Sequence, residues 1–401
     1  MTVLQRIKEV PFACADLGVS ATIDEIRDAG WRIVSLDIGE DSESDNHVGF
    51  PVTIVVRKLF CRASKFHIEG GPFGPPFPLF QDLFIMDVLQ LPRAALRSEA
   101  LDAVIVPTAD PYLSEYVAPC WALRAHLSGF EGSAGVLCVA ADFAALSVDS
   151  RYWVQAEKTL VDGVELLRAE RDPLKEATSR LLKSLSSGAR VAIDPRLVSH
   201  EAFDGVSSVL AAAGIELLGC DVFEKHPEIW PERPSPVVSA VRPMKRPGVD
   251  ARVKLAVLRQ TLESDATDAV LLTSLDEIAW LTNLRGRDVP CNPVFGAVML
   301  VRSDRAELFS ESVRFDETAR SALAASGIEL REPEALGAAL QALEGSTLLL
   351  DPRRTSHAYV RSTEHVCVRH GASPVAAMKS HKSPAELELI REAMLKDASP
   401  E

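Results

Sequence analysis

RVAIDPRLVSHEA, residues 190–202, and TLLLDPRRTSHAY, residues 347–359, are two versions of one segment, and their surroundings repeat with them. LDAVIVP (101–107) returns as TDAVLLT (267–273). GVLCVA (135–140) with AALSV (144–148) returns as PVFGAVMLV (293–301) with AELFS (306–310). The offset is roughly 160 residues, too long for a solenoid repeat and right for a duplicated domain. Each apolar run reads as a buried strand. HPEIWPERPSPV (226–237), with its four prolines, punctuates the join. The pattern predicts two similar α/β domains in tandem.

Between these strands, DPLKEATSRLLKSL (172–185) reads as a long amphipathic helix and PYLSEYVAPCWALRAHL (111–127) as mainly helical. IELLGC (215–220) follows one further helix as another strand. Residues 1–95 form a separate zone, an extension of undefined fold. In it Thr22 to Glu25 cap a short helix ending at Gly30, and WRIVSLDI (31–38) and PVTIVVRKLF (51–60) read as strands. The proline- and glycine-rich IEGGPFGPPFPLF (68–80) is a linker. At the other end, Ser383-Pro384-Ala385-Glu386 is a capping box. It opens a helix whose apolar face is Leu387, Ile390 and Met394. Alone in water so short a helix is marginal, so that face needs a partner.

The net charge of −14 and pI near 5.2 argue against nucleic-acid or anionic-membrane partners. No run approaches the ~18 apolar residues of a membrane span. The first residues lack the apolar core of a signal peptide, which predicts a cytoplasmic protein. Seven cysteines, odd in number and without CxxC spacing, read as reduced and mostly buried thiols.

No glycine-rich phosphate loop, HExxH or GxSxG motif is present. In the one local His/Cys cluster, His365 to His370, a strand places residues 365 and 367 on one face and His370 on the other. That divergence argues against a metal site. LDEIAWLTNLRGRDVPCNPVF (275–295) crowds Asp276, Glu277, Arg285, Arg287 and Asp288 around Trp280. The structural reading has Asp276 capping a helix, Asn283 with Gly286 ending it, and the remaining charges paired at the surface. In LSVDSRYW (146–153), Arg151 leaves a strand end beside Asp149 and Tyr152. It either pairs with Asp149 or a neighbouring carboxylate, or holds a ligand carbonyl or carboxylate with its fork of donors.

SEYVAPC (114–120), LSGFEGSAG (127–135), DSRYWVQAEK (149–158), IWPERP (229–234), LDEIAWLTNLRGRDVPCNPVF (275–295) and KSPAE (382–386) occur in an order familiar from one family. The chain resembles the three-domain cytosolic aminopeptidases P (Xaa-Pro aminopeptidases), relatives of creatinase and prolidase, over about residues 100–396. The resemblance implies an α/β fold of two creatinase N-terminal-type domains with ribonuclease-H-like mixed sheets. Their expected bounds are 96–232 and 233–381, with 382–401 the first helix of a catalytic domain. In the family that further domain holds two metal ions, usually manganese, with two aspartates, a histidine and two glutamates.

No such ligand set follows His381, so catalytic residues, metal ligands and cofactors are not expected in this chain. Manganese is expected only where the catalytic domain is present. As it stands the chain is expected to be truncated and not to hydrolyse peptides. One residue carries across: Val148-Asp149-Ser150-Arg151-Tyr152 matches the family's Thr-Asp-Gly-Arg-Tyr, whose arginine contacts the bound peptide. Arg151 is thus the candidate substrate-binding residue, toward a peptide with proline in second position. Ser150 and Ser147 stand where the family has glycine and tryptophan. The alternative function is a non-catalytic peptide-binding or dimerisation module, with a homodimer as partner state.

Overall fold

The computed structural model describes residues 88–398, together with five strand segments between residues 12 and 67. The chain divides into two compact units, residues 1–90 and 91–401. In the first, β1 (Phe12–Cys14), β2 (Val19–Ala21), β3 (Arg32–Ile38), β4 (Val52–Arg57) and β5 (Ser64–His67) form an antiparallel sheet in the order β2-β1-β5-β4-β3. The two predicted strands are its β3 and β4. The predicted helix at 22–30 and linker at 68–80 lie outside the described residues.

The second unit opens with α1 (Gln90–Ser98), which crosses the boundary expected at 95/96. It then builds the same sheet twice. The first comprises β6 (Ala103–Pro107), β7 (Val136–Ala140), β8 (Ala144–Val148), β9 (Glu165–Arg168), β10 (Arg190–Ile193) and β11 (Glu216–Gly219), in the order β11-β10-β6-β7-β8-β9. A two-residue pair, β12 (Arg242–Pro243) with β14 (Leu284–Arg285), follows the join. The second sheet comprises β13 (Ala269–Leu272), β15 (Val298–Arg302), β16 (Ala306–Phe309), β17 (Ile328–Arg331), β18 (Thr347–Leu350) and β19 (Cys367–His370), in the order β19-β18-β13-β15-β16-β17. Element for element the orders are identical. In each, three antiparallel strands are flanked by parallel additions on both edges. The predicted duplication is therefore a duplication of topology.

Helices cover the sheets where the sequence supplies caps and apolar stripes. Between β6 and β7 lies α2 (Leu123–Ser128), and α3 (Trp153–Thr159) follows β8. For α4 (Pro173–Ser184), Asp172 accepts from the N–H groups of Leu174 and Lys175, and Ala177 and Leu181 turn inward. For α5 (His200–Ala211), Ser199 caps and Phe203, Val206 and Leu210 are buried. The second domain follows suit with α6 (Ala251–Ser264), α7 (Leu275–Thr282), α8 (Glu317–Ala325), α9 (Leu336–Gln341), α10 (His357–Arg361) and α11 (Pro374–Ser380). Last comes α12 (Pro384–Asp397), entered through the capping box expected of Ser383 and Glu386.

Residues 111–127 depart from expectation. Only α2 and a single 3-10 turn, Pro119–Trp121, are helical there. The Asp110 carboxylate accepts from the N–H groups of Tyr112 (2.9 Å) and Ser114 (3.0 Å), folding the segment into a side-chain-closed turn with Leu113 at φ +54°. The liberated loop puts Tyr112 and Ala118 of the first domain against the core of the second.

The two repeats meet at segments 190–202 and 347–359. Ser199 and Ser356 form an antiparallel bridge. His200 N–H donates to Thr355 O (3.1 Å) and His357 N–H to Val198 O (2.9 Å). One turn outward, Glu201 N–H donates to Pro352 O (3.0 Å) and Ala358 N–H to Pro195 O (2.9 Å). Each bond maps onto its partner by adding or subtracting 157 residues, since 357 − 200 and 352 − 195 are both 157. The duplicated segment thus pairs with its own copy across a local two-fold. Among the described cysteines, Cys120 and Cys138 are buried, but Cys291 and Cys367 are exposed, so burial is less general than expected.

Candidate functional site

Arg151 lies in the turn between β8 and α3. Its N–H (3.0 Å) and Nε (2.9 Å) both donate to Asp149 Oδ1, and Nη2 donates to Oδ2 (2.8 Å). This bidentate grip holds the Asp149 carboxyl below its usual range and the guanidinium above its own. Of the two sequence readings, pairing with Asp149 is what the geometry displays. The arginine nevertheless keeps 67% of its side chain exposed. A guanidinium has five N–H groups. Asp149 takes two, and the other three make no hydrogen bond among the described residues. Ser150 is not among the residues with positive φ, so a serine in the family's glycine position carries no strain. Ser147 is buried, and its Oγ has no partner among the described residues.

A second motif braces this turn. Arg124, itself buried, donates from Nε to Thr108 Oγ1 (2.8 Å), from Nη1 to Phe130 O and from Nη2 to Gly132 O (2.5 Å), clamping the loop 129–135. A Cβ at Gly132 would sit 2.1 Å from the Phe130 ring, so this fold of the loop requires glycine there. From the loop, Ser133 Oγ meets Tyr152 OH at 2.6 Å, and Phe130 packs edge-on to the Tyr152 ring at 5.5 Å. Trp153 Nε1 donates to Val148 O (3.1 Å). LSGFEGSAG and DSRYW, distant in sequence, are one surface whose exposed cation is Arg151, with Glu131 its exposed carboxylate.

Stretch 275–295 has a different role from the one expected. Asp276 does not cap α7; Ser274 occupies the cap position without a side-chain bond, and Asp276 instead pairs with Lys379. Asn283 does end the helix, at φ +58°. Gly286 instead lets the chain pass the Phe295 side chain, which a Cβ would approach to 2.6 Å. Nor are the charges a surface network. Glu277, 1% exposed, accepts from Arg354 Nη1 (2.8 Å) and Ser373 Oγ (2.6 Å), and burial raises its pKa. Buried Asp288 binds Arg314 Nη1, Ser239 N–H (3.1 Å) and Gly296 N–H (2.8 Å), so it fastens the interdomain linker to the second domain.

The helix start that the sequence leaves without a partner is held by the same stretch. Trp280 Nε1 donates to Glu386 Oε1 (2.8 Å), while Glu386 Oε2 accepts from Ser383 N–H (2.8 Å). Burial alone would raise the pKa of Glu386; these bonds outweigh it and hold the carboxyl low. Under Trp280, Lys254 Nζ lies 4.3 Å from the ring centroid and donates to Asn283 Oδ1 (2.6 Å) and Trp280 O. Further along α12, Arg246 grips the Glu392 carboxylate, its Nη1 donating at 2.9 Å. Leu387, Ile390, Met394 and Leu395 remain exposed.

The two halves of this unit match two family models, both described as the creatinase/prolidase N-terminal domain, one over residues 89–224 and the other over 231–386. The chain belongs to the creatinase/prolidase family. Within it the similarity is to aminopeptidases P. The chain is 34% identical over 333 residues to aminopeptidase P2 of Arabidopsis thaliana, covering 75% of this chain and 47% of that protein. It is 32% identical to a probable Xaa-Pro aminopeptidase P of Pyricularia oryzae, covering 77% and 52%. Among solved structures, the X-prolyl aminopeptidase of Caenorhabditis elegans, described as a cytosolic enzyme with a di-nuclear active site, superposes with a TM-score of 0.70. Identity there is 25%, over 76% of this chain and 52% of that one. The chain spans about half the length of the curated relatives it matches. The five-stranded sheet of residues 12–67 lies outside both family matches. Among the described residues no helix is long and apolar enough to cross a membrane.

Proposed function

We propose that these domains serve an Xaa-Pro aminopeptidase, releasing a residue that precedes proline, and that Arg151 contacts the bound peptide. The observation that carries this is the surface made by loop 129–135 and turn 149–153. It holds the backbone rigidly and leaves an arginine exposed with donors to spare. Asp149 fixes the plane of the fork, which favours docking onto a carbonyl or carboxylate without ordering a free side chain first.

The di-nuclear active site belongs to the nematode relative. A pair of hard divalent ions needs several bridging oxygen ligands. Among the described residues the one group of three candidate ligands is His200, Asp204 and His357, with a single carboxylate. It does not fit such a centre, so manganese chemistry is a proposal for a protein that also carries the family's catalytic domain.

In that longer protein, Arg151→Ala should raise KM for Xaa-Pro peptides roughly tenfold or more, the loss of one charge-assisted hydrogen bond. Its kcat should change little and its circular dichroism not at all. An unaltered KM would remove Arg151 from the substrate site.

A further inference from the structure

His200 and His357 are the same residue of the two repeats, brought face to face by the bridge at Ser199 and Ser356. Their Nδ1 atoms are 3.1 Å apart. One helical turn along α5, Asp204 places Oδ2 3.4 Å from His200 Nε2. One donor atom from each of the three residues lies within 4.8 Å of the others. His370, at the end of β19, adds a third imidazole edge-on to His200, with centroids 5.1 Å apart.

We infer that His200, His357 and Asp204 bind a divalent transition-metal ion of the zinc class across the seam between the two domains. The spacing suits it. Two imidazole nitrogens each about 2.0–2.1 Å from a common ion stand about 3 Å apart, as these do. The donor set suits it as well: two imidazoles and one carboxylate select borderline ions over magnesium or calcium, which demand more oxygen ligands. The His357 ring is held by parallel stacking on Phe203 at 3.7 Å, so its orientation is set by packing, as ligating rings require.

The pair as it stands makes an N–H···N bond through one Nδ1 proton. The ion takes the place of that proton and the donor ring passes to its Nε2–H tautomer; His357 stays on its Phe203 stack, His200 turns about χ2, and the exposed Asp204 side chain, which rests at His200 Nε2, swings to the ion as third ligand. The site differs from a di-nuclear carboxylate centre in ligands and in stoichiometry. Its ligands come from both repeats, so loading ties the domains together.

The test is calorimetric titration of the 401-residue chain with zinc chloride, with thermal melts and cobalt(II) absorption in parallel. Expected are one ion per chain, a higher Tm with zinc and no rise with magnesium, and cobalt d–d bands typical of nitrogen ligation. Asp204→Asn, at an exposed position, should weaken binding at least about tenfold. His357→Phe, which retains the stack on Phe203, should abolish it. Absence of saturable zinc binding, or equal binding by wild type and both variants, would overturn the assignment.

Discussion

Lys254 carries a side-chain amine into a buried site. It is 4% exposed, and burial, reinforced by the neighbouring Arg285 charge, lowers its pKa from 10.5 to about 8. The folded chain therefore binds fewer protons than the unfolded chain between those two values. Stability should rise with pH from about 8 to about 10.5, and below 8 the full cost of the buried ammonium is present. Lys254→Met removes that slope. Urea melts of wild type and variant at pH 7.5 and pH 10 should show the wild type gaining on the variant by an amount on the order of 3 kcal/mol. Parallel pH profiles would show that Lys254 is not the group responsible. At the same scale, Arg151 was legible as a candidate from DSRYW alone. Its brace was not, because nothing in the sequence says that Arg124 reaches three acceptors around loop 129–135.

Among the elements, α12 is the most sequence-determined at its start and the least satisfied along its length. The capping box is local chemistry and forms as read. Its anchor, Trp280 to Glu386, spans 106 residues and is visible only in the fold. Ser383→Ala should cost about 1 kcal/mol of helix stability. In hydrogen exchange this appears as faster exchange at residues 385–388 with the domain cores unchanged; unchanged rates would show that the tertiary anchor alone holds the helix. The segment 111–127 teaches the converse. Its apolar spacing suggested a helix, but Asp110 captures the backbone N–H groups of Tyr112 and Ser114, and Pro111 and Pro119 limit what remains.

For the whole molecule, two fastenings matter beside the packing of Tyr112 and Ala118 on the second core. One is the reciprocal pairing of the duplicated segments at Ser199 and Ser356. The other is Asp288, which ties Ser239 of the linker to Arg314 and Gly296 of the second domain. Asp288→Ala takes the acceptor from Arg314 Nη1 and from the Ser239 and Gly296 N–H groups, while Glu311 keeps Arg314 Nε (2.6 Å), and should destabilise the chain by about 1–3 kcal/mol, read as a lower midpoint in denaturant melts. A loss below ~1 kcal/mol would mean the pair is no better than a surface bridge. The exposed Leu387, Ile390, Met394 and Leu395 set a further expectation. Changing Met394 and Leu395 together to glutamate should leave stability within about 1 kcal/mol, since both side chains are about two-thirds exposed. A cooperative loss of stability would show that they pack against something in solution.

The sequence by itself determined the duplicated α/β architecture, the strand runs, the cap at Ser383, and the candidacy of Arg151. All of these rest on periodicity or on residues within one turn of each other. Only the tertiary structure decided that Asp276, Glu277 and Asp288 have three unlike roles, surface pair, buried acceptor and linker clamp. It alone brought the repeated Ser-His dipeptides together. That repeat was written in VSHEA and TSHAY, but a repeat does not reveal whether its copies touch. Contact across 157 residues depends on how two sheets pack, and packing is a property of buried surfaces rather than of local pattern.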